Sequence, residues 1–286
     1  KKNNIYQIYG NGLNSFKIKK KITKIYVGNS GTSARLLSGL LSTYPGKFYL
    51  HGDHSMNKRD FTRVIQPLEK IGAFFYPRNK KTLPLTIEGT SMPLAQKHIE
   101  NKGSAQIKGL ILMSALSTPG TTVVEEKKVS RNHTELFLKK INADIKIKKT
   151  QNSNLIFLKG QKNLYSFDYN ISSDLSSSAF FIALTLLTPK SKLLIKNVNC
   201  NPTRMGFVNI LKKRMNAKIK VKNLKKKLGG EPVGDIVVKS STLKPINCPK
   251  QIVPSLIDEL PILFIIAAIT KGISKFSGIS ELRYKE

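Results

Sequence analysis

The sequence predicts an α/β (α+β) protein of two domains, built from a repeated β-α-β-α-β unit of roughly 70 residues. Three observations carry this reading. The length, 286 residues, corresponds to about two domains. Four segments share one plan: "NSGTSARLLSGLLST" (29–43), "KGSAQIKGLILMSALST" (102–118), "SDLSSSAFFIALTLLT" (173–188) and "PSLIDELPILFIIAAIT" (254–270). Finally, three later helical stretches close alike, on Ala73, Ala143 and Ala217, which lie 70 and 74 residues apart.

Each unit reads in the same order. Small or acidic polar residues open it: Ser30 and Thr32, Ser104, Ser176 and Ser177, and Ser255. These are helix-capping types, and an apolar helix follows each. A turn and a strand come next, in "YPGKFYLHG", "PGTTVVEE", "PKSKLLIKNV" and "KGISKFSGI". A polar, arginine-bearing segment follows: "KRDFTRV", "SRNHTEL", "NPTRMGF" and "ELRYKE". In three units a second helix ends in "LEKIGA", "LKKINA" or "KKRMNA". The period is too long for a short solenoid repeat. The opening helices are apolar nearly all round, which predicts burial in mid-domain with sheet around them. The fourth copy stops at Glu286, where its second helix is due, and "NNIYQIYGNGL" (3–13) reads as the tail of an earlier copy. The expectation is a fragment cut at both ends.

Composition narrows the function classes. The 40% hydrophobic content, with 13 Phe and 9 Tyr, supports real cores. The net charge of +32 raises a nucleic-acid reading. Only eight basic residues are arginines, however, and the lysines are spread along the chain as solvated faces would be. A basic nucleic-acid-binding module would need basic and aromatic residues clustered on one surface; it stands as the alternative from a different class. Cys200 and Cys248 form no CxxC pair and no HExxH occurs, so the expectation is free thiols, no zinc site and no disulfide. The longest apolar run, "LPILFIIAAI" (260–269), is too short for a bilayer, and no signal-peptide pattern opens the chain. A cytoplasmic setting is expected.

The helix mouths are the candidate site. Orphan N–H groups and the positive end of the helix dipole attract anions. Gly31 leaves room for a ligand against the backbone. Arginine forks suit carboxylate and phosphate. Asp258 and Glu259 head the most apolar helix, where a partly buried carboxylate could act as a general base. Lys285 and Glu286 form a second charged pair. By themselves these residues indicate a binder of small anions and no more.

The chain also resembles the 5-enolpyruvylshikimate-3-phosphate (EPSP) synthase family, the 3-phosphoshikimate 1-carboxyvinyltransferases. The resemblance rests on "GNSGTSARL" (28–36), "GDHSMNKRDFTRVIQPLEKIGA" (52–73), "GSAQIKGLILMSAL" (103–116), "SRNHTE" (130–135), "SSSAFF" (176–181), "NPTRMG" (201–206), "SLIDELPIL" (255–263) and "ELRYKE" (281–286), in the family's order. It implies the two-domain enolpyruvyl transferase fold of βαβαββ units, with about four of six present and domains at residues 1–168 and 169–286. It implies transfer of the enolpyruvyl group of phosphoenolpyruvate to the 5-hydroxyl of shikimate 3-phosphate, with release of phosphate, in the shikimate pathway of aromatic amino-acid biosynthesis. No metal or organic cofactor, no nucleic acid and no membrane is implied, and a monomer is expected.

Residue roles follow from the same resemblance. Gly31, Arg59 and Gln106 would contact phosphoenolpyruvate. Ser104, Gln106, Ser130, Arg131, Asp258 and Lys285 would hold shikimate 3-phosphate. Asp258 would take the 5-hydroxyl proton, and Glu286 would move the proton at the enolpyruvyl carbon. Arg35, Arg63 and Arg204 are read as structural. Asp60, Asn132 and Ala105 depart from residues common among relatives, and none removes a charge the reaction needs. The family's early Lys-Ser segment and its late arginine and lysine are not found here, so the 286-residue chain alone is expected to lack turnover. Gly31 implies sensitivity to glyphosate. The nearest rival, UDP-N-acetylglucosamine enolpyruvyl transferase, uses a reactive loop cysteine, and neither Cys200 nor Cys248 sits in such a loop pattern.

Overall fold

The computed structural model describes residues 5–16, 18, 20–226 and 230–284. The chain forms two compact units: Lys1–Val129 with Phe137–Phe167, and Ser130–Leu136 with Asp168–Glu286.

The first unit holds two copies of one motif. The first copy runs β1 (Thr23–Tyr26), α1 (Gly31–Leu41), β2 (Gly46–His51), a single turn α2 (His54–Asn57), α3 (Thr62–Lys70), β3 (Phe74–Tyr76) and β4 (Leu85–Gly89). The second runs β5 (Lys97–Glu100), α4 (Ala105–Ala115), β6 (Thr121–Glu126), α5 (His133–Lys140), of which His133–Leu136 belong to the second unit, β7 (Asp144–Lys149) and β8 (Asn154–Lys159). Their sheets have equivalent orders, β1-β2-β4-β3 and β5-β6-β8-β7. In each, the first pair is parallel and the other two are antiparallel. The repeat is therefore βαβαββ.

Local chemistry explains the elements. In β2, Phe48 and Leu50 alternate with less buried residues, the period of a half-covered strand. In α3, Val64, Ile65 and Leu68 form one buried stripe. Helix α4 is buried from Ile107 to Leu112, as its all-round apolar character predicts. It packs closely on α1 because position 39 is glycine: a Cβ there would lie 2.1 Å from the Leu110 carbonyl oxygen. The repeated closing motif has a shared geometry. Gly72, Asn142 and Asn216 adopt positive φ of 104°, 68° and 61°. The next amides, of Ala73, Ala143 and Ala217, bond back to the carbonyls of Leu68, Leu138 and Leu211 at 3.2, 3.0 and 3.0 Å. Gly and Asn tolerate the left-handed turn that ends a helix, and the small alanine fits beneath it.

The second unit carries α6 (Leu175–Leu187), β9 (Lys192–Asn199), α7 (Gly206–Arg214), β10 (Lys218–Lys226) and β11 (Pro232–Lys239). Their sheet has the order β10-β11-β9, and Ser173 adds a one-residue parallel bridge to Val198 where the other copies place their opening strand. Then come β12 (Asn247–Cys248), two 3₁₀ turns (Val253–Ser255 and Ile257–Glu259), α8 (Leu260–Ile269), β13 (Lys275–Phe276) and a last 3₁₀ turn at Ser280–Tyr284. Phe207, Leu211, Ile236, Val238 and Leu263 lie in this unit's own core. Along β10, exposed Lys218, Lys220 and Lys222 alternate with Ile219 and Val221. These lysines mark the edge of a sheet, where charge discourages strand pairing.

The second unit departs from the sequence expectation in three ways. The opening helices of the second unit are not buried all round: Phe180, Phe181 and Leu184 of α6 and Ile265 and Ile269 of α8 are exposed. β9, β11 and α8 pack against α6, and α6 packs against α8, but no described residues cover these exposed side chains. Ser255 does not cap α8; its Oγ donates to the Ile252 carbonyl at 2.6 Å inside a 3₁₀ turn. The helix begins at Leu260 instead, with Pro261 in its first turn, where a missing N–H is harmless. Nor do Ser176 and Ser177 cap α6: Asp174 does, accepting from the Ser177 amide at 2.8 Å.

Candidate functional site

In the first unit the mouth of α1 is held by Ser30. Its Oγ accepts from the Ser33 amide at 3.1 Å and donates to Ser33 Oγ at 2.8 Å. Beside this cap, two guanidinium groups meet at Gly31. A Cβ at position 31 would lie 2.9 Å from Arg59 Nη1 and 3.0 Å from Arg35 Nη1. Arg59 donates to Asn29 Oδ1, and Arg35 donates to Gln106 Oε1. The Gln106 amide in turn donates to Thr32 Oγ1 at 2.9 Å. Gly31, Arg59 and Gln106 thus stand together, as do the mouths of α1 and α4. Arg35, read from the sequence as structural, is part of this cluster. The pair of forks over a bare glycine is a geometry for binding carboxylate or phosphate.

Ser104 caps α4, accepting from the Ile107 amide at 3.3 Å. The approach to it is organised by Glu100, a buried carboxylate at the end of β5. Glu100 accepts from Arg63 at 2.9 Å, from the Lys102 amide at 2.9 Å and from the Ser104 amide at 3.4 Å. Burial works to raise its pKa, yet bonding to His98, the two amides and the Arg63 charge prevails and the net shift is downward. Arg63 is accordingly a structural partner, in line with its sequence reading. One turn into α4, Lys108 is completely buried and pairs with Glu126 at 2.9 Å, at the end of β6. Sequence reasoning did not single out Glu100, Lys108 or Glu126. For Lys108 there was a signal: a lysine inside an otherwise apolar helix needs a buried counter-charge. Asp60, a departure from relatives, lies just before α3 and accepts from the Thr62 amide and hydroxyl at 3.0 and 2.6 Å.

In the second unit Arg131 Nη1 lies 2.6 Å from Asp258 Oδ2. Ser130 beside it is buried. The neighbouring Glu259 is wholly buried and accepts from Ser176 Oγ. Arg204 donates to the same Ser176 oxygen and pairs with the α6 cap, Asp174, at 3.2 Å. Burial pushes the Glu259 carboxyl up and Asp258 adds to this, against the Ser176 hydrogen bond and the charges of Arg131 and Arg204. Like Arg35, Arg204, read from the sequence as structural, makes its contacts at a helix mouth. Lys285 and Glu286 lie outside the described residues.

Cys200 and Cys248 are free and buried. Among the described residues no group of His, Cys, Asp and Glu could hold a metal ion, and no helix is long and apolar enough to cross a membrane.

Comparison with known proteins gives this arrangement a family. The chain matches the family model of EPSP synthase (3-phosphoshikimate 1-carboxyvinyltransferase) over residues 1–286. A 3-phosphoshikimate 1-carboxyvinyltransferase of Endomicrobium trichonymphae is 40% identical over 280 residues, covering 98% of this chain and 63% of the relative. One from Petrotoga mobilis is 45% identical over 262 residues, covering 90% of this chain and 59% of the relative. The chain thus spans about three-fifths of the length of the curated relatives it matches. Among solved structures, EPSP synthase from Acinetobacter baumannii aligns with a TM-score of 0.77 at 39% identity, over 92% of this chain and 58% of that one. The enolpyruvyl transferase NikO from Streptomyces tendae shares the fold at a TM-score of 0.55 and 14% identity. A match that spans the chain, at an identity well above what fold alone would leave, makes this chain a member of the EPSP synthase family.

Proposed function

We propose that the protein carrying this chain transfers the enolpyruvyl group of phosphoenolpyruvate to the 5-hydroxyl of shikimate 3-phosphate, releasing phosphate. The observation that carries the reading is the Arg131–Asp258 pair: a cation suited to a phosphoryl group stands against a carboxylate suited to take a proton. In this reading Arg131, Ser130, Ser104 and Gln106 hold shikimate 3-phosphate, and Lys285 joins them. Arg59 and Gln106 hold phosphoenolpyruvate beside Gly31, where a Cβ would crowd both the Arg59 and Arg35 guanidinium groups. Asp258 takes the proton of the 5-hydroxyl as that oxygen bonds to C2 of phosphoenolpyruvate and C3 gains a proton. Glu286 serves the C3 proton. Collapse of the tetrahedral adduct then breaks the C2–O bond to phosphate and returns the C3 proton, leaving the enol ether. Forks and amides fixed before the substrates arrive need little reorganisation as charge moves.

The domain limits 1–168 and 169–286 and a cytoplasmic, monomeric state belong to the same proposal. Two buried free thiols support a reducing compartment. The test is phosphate release by the protein that carries this chain. Release is expected with phosphoenolpyruvate plus shikimate 3-phosphate. Release with UDP-N-acetylglucosamine as acceptor instead, or with neither, refutes the proposal.

A further inference from the structure

The segment Ser130–Leu136 is counted with the second unit although the chain on both sides of it belongs to the first. A buried polar cluster explains its attachment. Glu231, immediately before β11, is nine-tenths buried. Its Oε1 accepts from His133 Nδ1 and, at 3.1 Å, from Asn201 Nδ2, while its Oε2 accepts from Asn199 Nδ2. Asn201 Nδ2 also donates to Asn132 Oδ1 at 2.9 Å, and Thr203 Oγ1 reaches the same oxygen at 3.4 Å. Burial works to raise the Glu231 pKa, but the His133 hydrogen bond and charge, with the two asparagine amides, bring it down. Consecutive residues Asn132 and His133 are thereby fixed to the β9–α7 loop and the start of β11. Arg131, the next residue back, is the one that meets Asp258.

We infer that Glu231 and His133 form a clasp that docks Ser130–Leu136 onto the second unit and so sets Arg131 in position; the inference rests on the proposed role of Arg131 toward shikimate 3-phosphate. Glu231, His133, Asn132 and Asn201 are positioning residues, none of them in contact with the reacting atoms. The chemistry favours a clasp over simple packing. A carboxylate with three donors on it is a strong, directional anchor, and removing its charge and one of its two acceptor oxygens weakens all three bonds.

The experiment uses the protein that carries this chain and three variants, Glu231→Gln, His133→Gln and Arg131→Ala, with the double variant Glu231→Gln/Arg131→Ala. Calorimetric titration with shikimate 3-phosphate is expected to show Kd raised about tenfold by either clasp variant, the scale of one charge-assisted hydrogen bond. Phosphate release at saturating substrate is expected to change by less than about threefold, because the clasp acts on binding rather than on the chemical step. In the Arg131→Ala background the Glu231→Gln change is expected to add less than about twofold, since the residue it positions is gone. Hydrogen exchange supplies a ligand-free readout: amides of Ser130–Leu136 are expected to exchange about tenfold faster in Glu231→Gln, with those of β2 and β4 unchanged. Unaltered exchange and affinity, or a full additional loss in the Arg131→Ala background, overturns the clasp. A wild-type protein that does not bind shikimate 3-phosphate overturns the functional reading instead, and the exchange result then decides the clasp alone.

Discussion

Arg131 and Asp258 are joined across 127 residues of chain by an ion pair of 2.6 Å within one unit. Each is the residue that the resemblance assigns to shikimate 3-phosphate. Arg131→Ala is expected to raise Kd for that ligand by about ten- to a hundredfold, the scale of losing one charge-assisted contact while stranding its partner. Calorimetry against the wild type checks it; an unchanged Kd would show that Arg131 only neutralises Asp258.

Gly31 holds open a space between two guanidinium groups. Its backbone is unstrained, so the effect of Gly31→Ala is steric: the new methyl group meets the Arg59 and Arg35 forks at about 3 Å. Flexible side-chain ends can move aside, so stability should change by less than about 0.5 kcal/mol. Their displacement is expected to raise KM for phosphoenolpyruvate about tenfold and KM for shikimate 3-phosphate much less. Steady-state kinetics with each substrate varied in turn would show the difference. Equal shifts in both would mean that the mouth of α1 does not favour one ligand.

Glu100 sits in the first unit with its carboxylate shared among Arg63 and two loop amides. Its folded pKa lies below the ordinary carboxylate value, so its contribution is present above that value and is lost as pH falls through the folded one. Glu100→Gln is expected to destabilise the chain by about 2 kcal/mol at pH 7, the scale of hydrogen bonds to a charged group. Denaturant unfolding across pH checks this. The gap should narrow below the ordinary carboxylate range, and a gap that persists there would mean that lost packing, not charge, is responsible.

Glu259 carries the opposite sign. Its folded pKa is raised, so it binds its proton more tightly folded than unfolded, and stability falls as pH rises from the ordinary carboxylate value toward the folded one. Glu259→Gln removes that titration. The variant is expected to hold its melting temperature across this range while the wild type declines. Parallel melting curves for the two proteins would contradict the shift.

The repeat was legible in the sequence because its punctuation is chemical. "IGA", "INA" and "MNA" encode one left-handed helix stop, and that stop recurs in space at Ala73, Ala143 and Ala217. Gly31, Arg59 and Gln106 were legible as a set through the family resemblance. For Arg35 and Arg204, read as structural, the partners were not legible, because an arginine one turn into a helix, or in a loop, does not disclose that its fork turns to Gln106 or to Ser176 and Asp174. Ser255 failed as a cap because Pro261, which suits only a first turn, postponed the helix to Leu260. The partners of Glu100, of Lys108 and of Glu231 were not legible, for a common reason, although Lys108 itself stands out as a lysine in an apolar helix. Buried charges find partners through tertiary folding, here up to 98 positions along the chain, and no local period marks them. The exposed side of α6 likewise could not be foreseen, since an apolar sequence states what a helix can bury and not what is there to cover it.

Asp258 is the proposed base in enolpyruvyl transfer. Asp258→Asn in the protein that carries this chain tests it by removing the ionisable group and keeping the shape. Phosphate release is expected to fall by about 10²- to 10⁴-fold while shikimate 3-phosphate still binds within about tenfold of the wild-type affinity. Release at the wild-type rate, or a loss confined to binding, would contradict it.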